Sequence, residues 1–312
     1  MTSFACLLAA LAALAWTPPG VYSCEPPDTP PPPPLPEGSD RFPVLCYHSI
    51  DTGGELSVSA RRFRNDLEQL ESEGFFLITP DDLSNGLVRL PEGRSPVMIT
   101  FDDGWQSQFN YLRRPDGSLE IDPRCAVGIL EEFCDSHPDF GRGAVFFISF
   151  DKIPFGQQEY IEQKFNFLLD RGYCIGNHSA RHRSFMGMGA DSWGPALTGA
   201  QEAVKKYVGI RLGGMYAAAW PGGMIPEGAR VDERLSTISF EGIPSAGLGF
   251  VVDGALADLG SLRSASGRLR ISRMDMALSS VTRLLGHRGF YRPETWREDL
   301  HSPMPFSAVP LD

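Results

Sequence analysis

The stretch Ser95–Gln106, SPVMITFDDGWQ, sets two carboxylates, Asp102 and Asp103, directly after an apolar run. Val97 to Phe101 reads as a strand buried on both faces. Adjacent like charges repel, and burying either one unpaired is costly. Asp and Gly are ordinary turn residues, so a solvated turn is the plain reading. A bound cation is the chemical one. A second polar cluster, GNHSARHRS, carries His178 and His182 four residues apart. On a helical turn that spacing sets both rings on one face. Two imidazoles and a carboxylate are a common protein ligand set for catalytic zinc, with a position open for water. Ser179 stands where an HExxH motif has Glu, so a base must come from elsewhere. The paired aspartates can supply it.

The elements around these clusters alternate between strand and helix. FPVLCY, FFLIT, Val97–Phe101, AVFFI, GYCIGN, MYAAAW, GFVVD and LRISRM read as strands. Phe63, Leu67 and Leu70 recur at helical spacing in a segment that ends at Gly74. Thr79 is a helix cap followed by Pro80 at the first helical position. Further helices are expected from Asp122–Pro123 onward, over Gln157–Asp170 and around Gln201–Val208. Repeated β–α units predict a mainly parallel sheet, open or closed as a barrel. Crossovers then place functional loops at the carboxyl ends of strands, where Asp102 and Asp103 lie.

The chain has 312 residues, 42% apolar and 21% charged, enough for one large core or two small ones. A net charge of −11 argues against a nucleic-acid or anionic-lipid surface. Phe4–Trp16 is apolar but too short to span a bilayer and reads as a signal-peptide core, although no Lys or Arg precedes it. VYSC then resembles the lipobox of bacterial lipoproteins, with Cys24 as the lipidated residue; cleavage after Ala15 is the alternative. Glu25–Asp40 is a proline-rich linker able to extend up to ~50 Å. The expected division is therefore 1–24 signal peptide, 25–40 linker, and 41–312 one domain with a C-terminal tail. A lipid anchor is the sole membrane attachment this implies, and no oligomeric state follows. Of the six cysteines, none forms CxxC, which argues against a cysteine zinc site. Cys125 and Cys134 share a helix and stand about 13.5 Å apart, too far for a disulfide. A bridge between Cys46 and Cys174 stays open.

TFDDG and NHSARH match the first two motifs of the polysaccharide deacetylases with a NodB-homology domain, carbohydrate esterase family 4. AVFFI and FLLDRGYCIGNH are similar to that family's intervening strand and helix–strand approach. The resemblance covers roughly residues 42–276. It implies a deformed (β/α) barrel with fewer than eight strands, and metal-dependent removal of acetyl groups from an N-acetylated polysaccharide. By position it implies that Asp103, His178 and His182 hold a divalent metal, zinc by ligand type, and that Asp102 is the general base.

Two departures from the family pattern stand out. The third motif has an Arg two residues before Pro-x-Gly that orients the base; here AAAWPGG puts Ala219 there. Arg273 in ISRMD is a candidate substitute, with a surface arginine as the other reading. Trp220, Pro221 and Gly222 are expected to line the substrate groove, with core packing as the other reading of Trp220. The last motif has a His near the C-terminal end as general acid. After Arg273 only His287 and His301 remain, and neither follows an apolar strand. PVLCYHSI instead sets His48 directly after the first strand, where a structural histidine bonded to the backbone is the plain reading. This placement resembles that of the poly-N-acetylglucosamine deacetylases, whose motif order is circularly permuted and whose N-terminal Tyr-His carries the acid. His137 is given no role. The expected protein is an exported deacetylase of an N-acetylglucosamine-containing polymer. Two alternatives are a non-catalytic glycan-binding protein on this fold and a hydrolase of another amide.

Overall fold

The structure is a computed structural model and describes residues 39–293. The expected signal peptide, Cys24, nearly all of the linker and His301 lie outside these residues. Eight parallel strands are hydrogen-bonded together. In chain order they are β1 Val44–Tyr47, β2 Phe75–Leu77, β3 Ser95–Phe101, β4 Val145–Ile148, β5 Cys174–Asn177, β6 Ala217–Ala219, β7 Leu248–Phe250 and β8 Met274–Asp275. Their spatial order is β7-β6-β5-β4-β3-β1-β8, and β2 pairs with the first half of β3. Residues 271–275 tie the two edges together. Ile271 bridges to Phe250, while Met274 and Asp275 pair with Leu45 and Cys46. The ring is thus a curled barrel of fewer than eight strands, as expected, with β2 attached outside it.

Helices connect the strands: α1 Ala60–Ser72, α2 Pro80–Ser84, α3 Ala126–Ser136, α4 Ile161–Asp170, α5 Trp193–Val208 and α6 Ala229–Thr237. α1 buries Phe63, Leu67 and Leu70, and Ser59 caps it by accepting from the Arg62 amide. Thr79 and Asp82 form a full capping box at α2, with Pro80 in the first turn. Three helix starts differ from the sequence reading. α3 begins at Ala126, because the Asp122 side chain accepts from the Arg124 amide and holds a turn there. α4 begins at Ile161, because the Gln157 side chain pairs with the Tyr111 backbone. α5 begins earlier, at Trp193, with Pro195 tolerated in its first turn.

Every residue of β3 is buried, as a strand with both faces covered must be. Val97, Ile99 and Phe101 pack toward the helices with Phe146 and Ile148. Met98 faces the barrel interior with Val44, Phe147 and Phe250. Gly176 on β5 is required by this interior: a Cβ there would come within 2.3 Å of the Phe147 ring. Cys46, Cys125, Cys134 and Cys174 are all free thiols, so the Cys46–Cys174 bridge does not form. No helix among the described residues is long and apolar enough to cross a membrane.

Candidate metal centre

The strand period of two predicts that Asp102 continues the inward-facing row of Met98 and Thr100. It does: the interior Arg273 guanidinium holds both Thr100 and Asp102. The next residue breaks the row. Asp103 has φ +76, in the left-handed region that Asp adopts more readily than most residues. This turn lets two consecutive carboxylates serve two different clusters.

The Asp103 cluster contains His178 and His182. Oδ1 of Asp103 lies 3.3 Å from His178 Nε2 and 3.1 Å from His182 Nε2. The His178 Nδ1–H donates to the Ala219 carbonyl at 2.8 Å, so in the neutral ring Nε2 is the lone-pair atom turned toward Asp103. Acceptor atoms therefore face one another across about a hydrogen-bond length. A proton or a cation must stand between them. The three donor atoms lie within 4.8 Å of one another. Tetrahedral ligands about 2.0–2.1 Å from zinc stand about 3.3 Å apart, so these residues fit a zinc ion. Burial pushes the Asp103 carboxyl up, but hydrogen bonds from both histidines and the nearby Lys152 outweigh it and hold it well below the usual range. The hydrogen bond to Asp103 in turn raises the His182 imidazole.

The histidines do not reach this geometry as expected. They lie on an irregular loop after β5, not on a helical turn. Ser179 and His182 both have positive φ, +58 and +47. Asn177 fixes the loop: its side chain accepts from the Ser179 amide and donates to the Leu197 carbonyl of α5. The rings end with centroids 4.8 Å apart.

The Asp102 cluster contains Arg273, Cys46 and His48. Arg273 is fully buried and grips Asp102 at two points, Nη1–Oδ1 2.7 Å and Nη2–Oδ2 2.8 Å. It lies over the Phe147 ring at 5.4 Å, the ring that Gly176 makes room for. Burial pushes the Asp102 carboxyl up, but Arg273, with His178 and His48 nearby, outweighs it and holds it down at about 2. Cys46 Sγ lies 3.6 Å from Asp102 Oδ2. His48 follows β1, and a ring nitrogen lies within 4.8 Å of both an Asp102 oxygen and Cys46 Sγ. Its Nδ1 is buried without a hydrogen-bond partner among the described residues. Gln108 ties the ends of β1 and β3 by donating to the carbonyls of His48 and Asp102. His178 Nε2 stands 3.9 Å from Asp102 Oδ2 and so borders both clusters.

Other residues singled out by sequence lie elsewhere. Trp220 is fully buried, which overturns its expected place in a substrate groove. Its Nε1–H donates to the Leu269 carbonyl, its ring packs on Phe185, and a Cβ on Gly249 would sit 2.6 Å from the indole. Pro221 is buried too, and of the three expected groove residues only Gly222 is exposed, bordering Ser184 on the histidine loop. His137 stacks on Phe133 at the end of α3. His287 packs near Phe290, whose ring meets Phe75 at the amino end of β2, the far end of the barrel from Asp102. Sequence reasoning passed over Trp105, whose Nε1–H donates to Asp103 Oδ2 at 3.0 Å. Its position two residues after Asp103 was the available signal.

No protein-family model matches the chain. A stretch of 73 residues is 33% identical to YxkH of Bacillus subtilis (strain 168), named as a candidate polysaccharide deacetylase; it covers 22% of this chain and 25% of YxkH. In structure the chain is similar to the deacetylase PplD of Streptococcus pyogenes, with TM-score 0.58 and 18% identity over 78% of this chain and 96% of that one. It is also similar to BC0361, a polysaccharide deacetylase from Bacillus cereus, with TM-score 0.57 and 17% identity over 78% and 67%. IcaB from Ammonifex degensii aligns with TM-score 0.50 and 20% identity over 83% and 94%. The fold is that of the polysaccharide deacetylases.

Proposed function

We propose that the chain is a metal-dependent hydrolase that removes N-acetyl groups from an N-acetylglucosamine-containing polysaccharide. The observation that carries this reading is the pair of adjoining clusters, one built on Asp102 and the other on Asp103. Asp103, His178 and His182 hold a divalent metal, zinc by donor type. When bound, the metal supplies a Lewis acid that acidifies a water and polarises the amide carbonyl. Asp102 is the base. Arg273 keeps it ionised and fixed in direction, and the 3.9 Å to His178 Nε2 sets its carboxylate beside the centre. His48 is the acid that protonates the departing amine. It borders Asp102, is half-buried, and so is reachable from the rim.

Ala219 was the ground for a non-catalytic glycan-binding reading. Arg273 weakens that ground, because Asp102 has its arginine from the segment just before β8. Export through an N-terminal signal, with or without lipidation at Cys24, belongs to the same proposal, as does the division into leader, linker and domain.

Acetate release from N-acetylchitooligosaccharides tests the proposal. The zinc-loaded protein should release acetate and free amine in equal amounts, and a chelator should stop both. Glycan binding with no acetate released would favour the non-catalytic reading. Acetate from other amides alone would favour a different hydrolase.

A further inference from the structure

Asp103 presents two oxygens, and the histidines use only one. Both imidazole contacts fall on Oδ1. Oδ2 instead accepts from the Trp105 indole at 3.0 Å, with Lys152 Nζ 3.9 Å away. Lys152 lies over the same indole, 3.6 Å from the ring centroid. Trp105 thus fixes the ligand carboxylate through its N–H edge, and a cation covers one of its faces.

The side chain is nonetheless partly open to solvent. Trp105 is 41% exposed although its N–H edge points into the centre. Holding Oδ2 needs one donor and no large ring. A partly exposed aromatic side chain beside a ligand carboxylate is suited to packing on the apolar face of a sugar while its polar edge stays paired. Ile153, Met186 and Met224, on the loops after β4, β5 and β6, are exposed as well, so three loops at the carboxyl ends of the strands carry apolar surface.

We infer that Trp105 has two roles: a positioning residue for the Asp103 carboxylate, and the stacking wall for the sugar whose acetamido group enters the site. The second role rests on the polysaccharide reading above; the first does not. Both roles meet in one side chain, so sugar packing and ligand geometry are mechanically linked.

Trp105→Phe keeps a stacking face and loses the N–H. Trp105→Ala loses both. Zinc affinity is measured by chelator competition on the full protein, and thermal melting confirms that each variant folds. Both variants should bind zinc more weakly, by about tenfold or more. Binding of N-acetylchitopentaose is measured by calorimetry at saturating zinc, in an Asp102→Asn background that prevents turnover. Trp105→Phe should stay within about twofold of the parent, and Trp105→Ala should lose about three- to tenfold. Unchanged zinc affinity in Trp105→Phe overturns the positioning role. Unchanged glycan affinity in Trp105→Ala overturns the stacking role. A parent that binds no chitopentaose overturns the stacking role together with the polysaccharide reading, while the zinc titration still decides the positioning role.

Discussion

Arg273 meets Asp102 in a two-point ion pair, 2.7 and 2.8 Å, with both groups buried in the barrel. The family pattern would bring this arginine from position 219, at the end of β6. Here the guanidinium arrives from the segment that closes the ring beside β8. Thr100 and the Phe147 ring complete its surroundings. The requirement met is electrostatic: a carboxylate buried on the inward face of β3 must have a counter-charge.

Removing that counter-charge should be severe. Arg273→Met leaves Asp102 buried and unpaired, which should destabilise the fold by about 3–5 kcal/mol. Adding Asp102→Asn should restore much of the loss, because no bare charge remains. Urea unfolding of the two single variants and the double variant gives the coupling. Independent, additive effects would show that the pair does not act as a unit.

His48→Ala should keep fold and metal and lose ~10²–10⁴-fold in turnover. His287→Ala should stay near wild type, because His287 packs at the opposite end of the barrel. Rates at saturating substrate, with metal content checked in each variant, make the comparison. The reverse pattern would restore the C-terminal position of the acid.

Asp66 provides a pH test that is independent of the metal. It lies on the buried face of α1 and accepts from the Tyr47 hydroxyl at 2.9 Å. Burial pushes its carboxyl up to about 6, against the pull of Tyr47 and Arg62. A carboxyl raised in the folded state binds its proton more tightly there than in the unfolded chain. Its contribution is therefore fully present below about pH 4 and is lost as pH rises to about 6. Asp66→Asn should flatten this part of the stability profile and stabilise the protein at pH 8 by about 2–3 kcal/mol. Denaturation at pH 4 and pH 8 measures it; equal stability of both proteins at pH 8 would contradict the assignment.

Much of the site was legible because strand ends are legible. An apolar run that stops at two carboxylates places them on the rim, and the same logic places His48 and His178. The local geometry was not legible. His178 and His182 suggested a helical turn, yet left-handed residues at 179 and 182 and the Asn177 side chain bring the rings together. Spacing carries no information about such a loop. Trp220 misled because a tryptophan beside a loop motif has the same sequence signature whether it faces solvent or fills the core; Gly249 makes the space that buries it. Trp105 was passed over because its role depends on which Asp103 oxygen the histidines leave free, and only coordinates show that.

In the proposed mechanism two neighbouring carboxylates hold different offices, Asp103 for the metal and Asp102 for the proton. Metal content and acetate release, measured side by side on Asp102→Asn and Asp103→Asn, test it most directly. Asp102→Asn should retain about one zinc per chain while acetate release falls ~10²–10⁴-fold. Asp103→Asn should lose the metal and the activity together. Metal lost from Asp102→Asn and kept by Asp103→Asn would reverse the two roles. Full metal and full acetate release in both variants would exclude both roles.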